Sequence, residues 1–169
     1  MPGNKYLKIG TTGFTTEEAS INSSSGAGDA NKLISADATG KLDSTLLPAG
    51  LGADSATLTA GEALSAGNLV YISAAGTVLK ADANAVAKAA VGFVLASVAN
   101  AATGTVYFEG SITGLTGLTP GATYFLSGAA TGAITTTIPT AAGSIVQQVG
   151  VATSATTLTF EAGEPIVRA

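Results

Sequence analysis

From Ala56 to the end of the chain, short runs rich in Val, Ile, Thr, Tyr and Phe are separated by Gly, Asn or Pro. The breaks recur about every eight to twelve residues, a spacing typical of all-β sandwiches and barrels. This pattern predicts an antiparallel β-barrel or sandwich over residues 56–169. The predicted strands are Ala56–Thr59, Asn68–Ser73, Thr77–Ala81, Ala90–Val98, Thr105–Gly110, Ala122–Ser127, Ala133–Ile138, Ile145–Ala152 and Thr156–Glu161.

Alternation within single strands predicts which faces are buried. Leu158 and Phe160 share one face of the last predicted strand, opposite the polar face of Thr157 and Thr159. The run Phe-Val-Leu at residues 93–95 is apolar on both faces. Such a run indicates a central strand or one that contacts a partner.

The segment Ala81–Ala90 is the one part of this region that residue propensity favours as helix, because it contains six alanines and Lys88. It lacks large apolar residues at the i, i+3 and i+4 spacing with which a helix docks. A helical turn and an exposed loop carrying Asp82, Asn84 and Lys88 therefore both stay open.

The first third of the chain has a different composition. Ten of the eighteen charged residues precede Ser55, and none lies between Glu109 and Glu161. Residues 1–55 are also rich in Gly and Ser, with too few large apolar side chains to close a core. We therefore expect an extended arm with a short turn or hairpin over residues 1–55, followed by the β domain over residues 56–169.

Two local signals lie within this arm. Thr15 and Glu18 have the spacing of a capping box, which predicts a short helix that starts near Thr16 and ends before Asn22. The segment Ala36–Gly40 combines an aspartate with a glycine, which predicts a tight turn or hairpin.

The composition excludes several chemistries. The chain contains no Cys and no His, which removes disulfides, thiolate and imidazole zinc ligands and the side chain that titrates near neutral pH. The formal net charge is −4, so no basic surface exists to neutralise nucleic acid. Only 11% of residues are charged and the mean hydropathy is +0.44, which indicates that much of the surface is hidden between subunits.

Membrane and leader segments are not expected. Ala89–Phe108 carries no formal charge, but Asn100–Gly104 divides it into strand-sized pieces, whereas a spanning helix needs about 20 predominantly apolar residues. Residues 1–8 contain no apolar run of signal-peptide length. We expect synthesis in the cytoplasm and no membrane partner.

Candidate catalytic residues are few. Without Cys or His, catalysis would need paired carboxylates or a Ser or Thr activated by Lys. Glu109 and Glu161 could form a glycosidase pair if they faced each other, although carboxylates at strand edges are usually solvated. Gly40 and Lys41 lack the remaining residues of a phosphate loop, and no acidic run fits calcium. We expect no enzymatic activity, no cofactor and no metal.

The order of several motifs resembles one class of viral proteins. Residues 37–48 read Asp-Ala-Thr-Gly-Lys-Leu-Asp-Ser-Thr-Leu-Leu-Pro. They resemble the Asp-x-x-Gly-Lys-Leu-Asp-x-x-Leu-Leu-Pro segments of trimeric fibres and head proteins of tailed bacteriophages. Residues 61–70, 91–95, 115–127 and 145–152 are similar to segments of phage capsid cement, or decoration, proteins. The resemblance covers nearly the whole chain.

This resemblance implies a non-enzymatic virion protein on the outer surface of the phage head, where it bridges neighbouring capsomers, usually as a homotrimer. Its implied partners are the major capsid protein and its own copies. The expected arm anchors on the major capsid protein are Tyr6, Leu7, Ile9 and Phe14. The expected trimer neck consists of Leu46, Leu47 and Leu51.

Other interpretations stay open. The apolar residues 46–52 would also suit a linker laid across its own domain. The arm motif occurs in fibres, so the β domain could be a glycan-binding receptor tip, which exposed Tyr71, Tyr107 or Tyr124 would favour. The threonines at 135–137 and 156–157 fit a sugar-binding surface or solvated strand faces. A depolymerising hydrolase is the third class, and the scarcity of ionisable residues disfavours it.

Overall fold

The structure, a computed structural model, describes residues 4–47 and 53–169. The chain forms two compact units, Met1–Gly52 and Ala53–Ala169. The described residues are nearly all β and contain no α-helix, which confirms the predicted all-β class. No helix in these two ranges is long and apolar enough to cross a membrane.

The strands of the described residues are β1 (Lys5–Ile9), β2 (Thr15–Ala19), β3 (Ser55–Thr59), β4 (Leu69–Ile72), β5 (Val78–Lys80), β6 (Gly92–Val94), β7 (Thr103–Tyr107), β8 (Gly110–Ile112), β9 (Thr123–Leu126), β10 (Ile134–Thr135), β11 (Ile145–Val146), β12 (Gln148–Ala152), β13 (Leu158–Phe160) and β14 (Ile166–Val167). Short 3₁₀ turns occupy Ala27–Asp29, Ser44–Leu46 and Val86–Lys88.

In the first unit, β1 and β2 pair as an antiparallel hairpin. The helix predicted from the Thr15–Glu18 capping box is therefore wrong. Glu18 lies directly opposite Tyr6 across the hairpin, and its carboxylate accepts a hydrogen bond from the Tyr6 hydroxyl at 3.2 Å. Lys8 also forms an ion pair with Glu18. These partners are distant in sequence, and they outweigh a local capping signal.

The remainder of this unit consists mainly of turns. A single parallel bridge joins Ile21 to Ile34. The turn predicted at residues 36–40 is confirmed, because Gly40 adopts a φ of +77° and its N–H donates to Asp37 O at 3.0 Å. The flanking residues 32–35 and 41–43 do not pair with each other as strands, so the hairpin alternative for this segment is wrong.

The second unit contains two five-stranded antiparallel sheets. Sheet I has the order β3-β7-β6-β4-β5, and sheet II has the order β10-β9-β12-β13-β8. Strands β11 and β14 form a separate antiparallel pair. Ala60, directly after β3, makes one parallel bridge with Val78 on the opposite edge strand. Sheet I therefore curls toward its own edge without closing, and the unit is sandwich-like rather than a closed barrel.

Two apolar clusters form the core of the second unit, and sheet I contributes to both. Leu69 and Phe93 belong to the cluster shared with sheet II, while the next residues, Val70 and Val94, belong to a cluster enclosed by the curl of sheet I. Strand β6 is the middle strand of sheet I. The alternative of a central strand that is apolar on both faces is therefore confirmed for residues 93–94, whereas Leu95 lies beyond the strand and is exposed.

The last strand also follows its sequence pattern. Leu158 and Phe160 are buried in the shared cluster, whereas Thr159 is exposed. Phe160 and Phe93 meet edge to face, with ring centroids 5.3 Å apart. This contact ties sheet II to sheet I, and aromatic pairs of this geometry stabilise a core beyond their buried area.

Some predicted elements differ in extent. The predicted strand Ala90–Val98 is reduced to β6, and Ile145–Ala152 is divided into β11 and β12. Strand β14 was not predicted, and most of β8 lies beyond the predicted strand Thr105–Gly110.

The alanine-rich segment Ala81–Ala90 forms a 3₁₀ turn at Val86–Lys88. Asn84 is exposed and Asp82 and Lys88 are half-buried, so the exposed-loop alternative holds only in part. Ala81, Ala83 and Ala90 are buried. Their small side chains let the backbone lie directly on the core, which explains why the segment needs no large apolar residues.

Candidate docking surface

The described residues of the first unit form no core of their own. None of the side chains at residues 4–47 is buried, and seven large apolar side chains there are exposed. These are Leu7, Ile9, Phe14, Leu33, Ile34, Leu42 and Leu47. Soluble proteins expose single apolar side chains routinely, but a high density of them marks an interaction surface.

Ion pairs and hydrogen bonds hold the hairpin in place of a core. Lys5 and Glu17 form an ion pair at 2.8 Å on one face. On the other face, Glu18 is bound by both Lys8 and the Tyr6 hydroxyl. The Lys8 ammonium is the main cause of the lowered pKa of Glu18, and Glu18 in turn raises the pKa of Lys8.

Aspartates organise the turns that follow. Asp29 binds the Lys32 ammonium at 2.8 Å and accepts the Ser25 N–H, and these contacts lower its pKa. Asp37 accepts the N–H groups of Thr39 and Lys41 at 2.8 and 3.0 Å, together with the Thr39 hydroxyl. These bonds lower the pKa of Asp37, with the Lys41 N–H as the largest cause.

Asp43 repeats the arrangement of Asp37. It caps the 3₁₀ turn Ser44–Leu46 by accepting the N–H and the hydroxyl of Thr45, at 2.9 and 2.6 Å. The Thr45 hydroxyl is the main cause of its lowered pKa. Local Asx turns of this kind fix the backbone without burying apolar surface.

The hairpin brings two of the predicted anchors together. Leu7 and Ile9 alternate on one strand and share a face, where they are 72% and 78% exposed. We call the hairpin face that bears Leu7, Ile9, Thr15 and the Lys5–Glu17 pair the docking face, since residues directly opposite in the register lie on the same side.

The other two predicted anchors lie elsewhere. Tyr6 is on the opposite face and half-buried, with its hydroxyl engaged by Glu18. Phe14 lies just before β2 in the hairpin turn and is 76% exposed. Whether any of the four side chains contacts a capsid stays a prediction.

The predicted trimer neck is only partly described. Leu46 is half-buried and Leu47 is exposed. Leu51 lies outside the described residues. Leu33 and Leu42, which the sequence analysis did not single out, are each more than half exposed. The usable signal was composition, because both are large apolar residues in a segment with too few of them to close a core.

Glu109 and Glu161, the candidate glycosidase pair, line the same surface depression. Asp54 also lines this depression of about 410 Å³ in the second unit. Within residues 4–47 and 53–169, no group of three acidic side chains is close enough to hold a metal ion. The same two ranges show no ion pair or side-chain hydrogen bond to Glu109 or Glu161. Nothing in this depression distinguishes a catalytic acid from a nucleophile.

The tyrosines expected of a glycan-binding tip are mostly engaged in the fold. Tyr124 is buried, and its hydroxyl accepts the Thr119 N–H at 3.0 Å. Tyr107 stacks on Phe93 with ring centroids 5.6 Å apart. Tyr71 is half-buried in strand β4. Thr135 and Thr137 line an uncharged depression, but no tyrosine lines it.

Comparisons with known proteins assign no family to this chain. Neither the protein-family models nor the curated proteins give a match. The uncovered apolar side chains of residues 4–47 are therefore the strongest functional indication that the molecule offers.

Proposed function

We propose that this protein is a structural virion protein that decorates and stabilises the outer surface of a phage head. It bridges neighbouring capsomers, as a homotrimer, and binds the major capsid protein through its first unit. One observation carries the proposal: residues 4–47 bury no side chain of their own and expose seven large apolar side chains.

The physical argument starts from stability. A two-stranded hairpin without a covering layer is marginal in water, and the β1–β2 hairpin has no buried residue beneath it. Covering an apolar side chain contributes about 1.5–3 kcal/mol when it leaves water completely. A partner surface that covers Leu7 and Ile9 would therefore stabilise both the hairpin and the complex.

The second unit suits contacts between subunits. No charged residue lies between Glu109 and Glu161, a stretch that includes strands β8 to β13. Interface cores are depleted of charged residues relative to ordinary surfaces. A homotrimer held by this region would leave the first units available to reach separate capsomers, and the motif resemblance at residues 37–48 supports that arrangement.

The test uses DNA-filled heads of the source phage that lack this protein. The full chain is expected to sediment with the heads, whereas a fragment of residues 53–169 is expected to stay in solution. The fragment should fold, because both apolar clusters lie entirely within it. Circular dichroism and thermal melting of the fragment check this point. Equal binding by the fragment and the full chain would contradict a docking role for the first unit.

Location on the virion separates the proposal from its main alternative. Immunogold electron microscopy with an antibody against residues 53–169 should label the whole head. Label confined to the tail tip would support a receptor-binding fibre instead. Sedimentation equilibrium of the full chain should give three times the mass of one 16.3 kDa chain.

A further inference from the structure

The two charged side chains of the docking face form an ion pair with each other. They are Lys5 and Glu17, which neutralise each other at 2.8 Å. The hairpin's other charges, Lys8 and Glu18, lie on the opposite face and are also paired. The centre of the docking face is Leu7 and Ile9, both well exposed.

Elsewhere in the first unit the charges are partly paired. Lys32 is paired with Asp29. Asp37 and Asp43 accept the hydrogen bonds of their own turns through Oδ1. Charged partner surfaces are recognised by unpaired groups of opposite sign. On the docking face, the two charged side chains are paired with each other.

From this we infer that the docking face binds an uncharged apolar patch on the outer surface of the major capsid protein, by apolar contact and without electrostatic attraction. The inference rests on the proposed function and adds the chemistry of the surface that receives the arm. A charged patch is disfavoured as the receiving surface, because its ions would lose water against Leu7 and Ile9.

Salt dependence is the measurement that tests this chemistry. Exposed charges are screened over about 30 Å at 0.01 M salt and about 3 Å at 1 M, so electrostatic docking weakens steeply over that range. For the full chain on heads that lack it, the dissociation constant should change by less than about threefold between 0.05 and 1 M NaCl. A tenfold or larger weakening would overturn the inference and leave the proposed function standing. Absence of binding at every salt concentration would overturn the proposed function as well.

Two sets of variants test the same point without salt. Leu7→Thr and Ile9→Thr remove apolar surface but keep residues that favour strands. Each is expected to weaken binding to heads about tenfold, and the double variant about a hundredfold. The paired change Lys5→Gln with Glu17→Gln should leave the dissociation constant within about twofold, since exposed ion pairs contribute little. A stronger loss from this charge-free variant than from the threonine variants would overturn the inference.

Ile72→Thr is the matched control. Ile72 is a strand residue of the second unit and is 43% exposed, so the change removes similar apolar surface outside the docking face. It should bind heads like the unmodified chain. Sedimentation of the Leu7→Thr/Ile9→Thr variant without heads gives a further check. If the substitutions dissociated the oligomer, sister subunits and not the capsid would be covering the docking face, and the inference would be wrong.

Discussion

The side-chain amide of Gln147 pairs with the backbone of Ala90 as a neighbouring strand would. Its Nε2 donates to Ala90 O and its Oε1 accepts from Ala90 N, both at 2.8 Å, and the whole contact is buried. Nε2 also donates to Gly163 O at 3.1 Å. One side chain thus satisfies three buried or partly buried backbone groups in segments far apart in the sequence.

Replacing Gln147 with Leu should destabilise the second unit by about 2–5 kcal/mol. The new side chain has similar volume, but it leaves the N–H and carbonyl of Ala90 without partners in the core, and each such group costs about 1–3 kcal/mol. Urea denaturation measures the effect. Gln148→Leu is the control, because Gln148 is exposed and should change stability by less than about 0.5 kcal/mol. Equal effects of the two changes would show that the Ala90 contact is not important.

Gly150→Ala should cost about 3 kcal/mol, since two penalties combine at this position. Gly150 has a φ of +149°, which side chains rarely adopt, and an added Cβ would overlap the carbonyl oxygen of Thr159 on the paired strand β13. Thermal or urea unfolding provides the measurement. Gly76→Ala separates the two causes, because Gly76 has a φ of +76° with no atom near the new Cβ, so only about 1 kcal/mol is expected.

Lowering the pH should reduce the stability of the hairpin and turns within residues 4–47. The pKa values of Glu18, Asp29, Asp37 and Asp43 are lowered in the folded chain from ordinary values of 4.5 for Glu and 3.8 for Asp. A lowered carboxyl pKa contributes stability that is present above the unfolded value and lost as the pH falls through the folded value. Amide chemical shifts followed from pH 7 to pH 2 should therefore show the contacts of Glu18 weakening below pH 4.5 and the aspartate turns weakening below pH 3.8.

Asp37→Asn provides the control for this titration. The amide oxygen of Asn can still accept from Thr39 and Lys41, but the side chain no longer ionises. Shifts of residues 37–41 should become nearly independent of pH in this variant, whereas the Asp43 turn should respond as before. An unchanged acid response at residues 37–41 would mean that Asp37 does not govern the turn.

The fold of the second unit was largely predictable because its signals are local and regular. Alternation at Leu158 and Phe160 and the doubly apolar residues 93–94 identify strands whose two faces have fixed environments. Strand β8 was harder, because it begins at Gly110 with a φ of +122°, where the sequence suggests the end of a strand. Strand β14 has only two residues, too few for any alternation to show.

The first unit was less predictable because its structure depends on non-local partners. Thr15 and Glu18 have the spacing of a helix cap, and only the pairing of Glu18 with Tyr6 reveals a strand. The sequence identified Leu7 and Ile9 as apolar candidates but could not place them on one face and Tyr6 on the other. That separation follows from the hairpin register, which no single strand encodes.

Sheet I lies between the two apolar clusters and contributes residues to both. This arrangement determines how the second unit unfolds on heating. Consecutive residues such as Leu69 and Val70 point into different clusters, so neither cluster can open while the other keeps all of its contacts. The two clusters should therefore lose their structure in one cooperative transition. In calorimetry, the van't Hoff and calorimetric enthalpies of residues 53–169 should agree, as they do for a single folding domain.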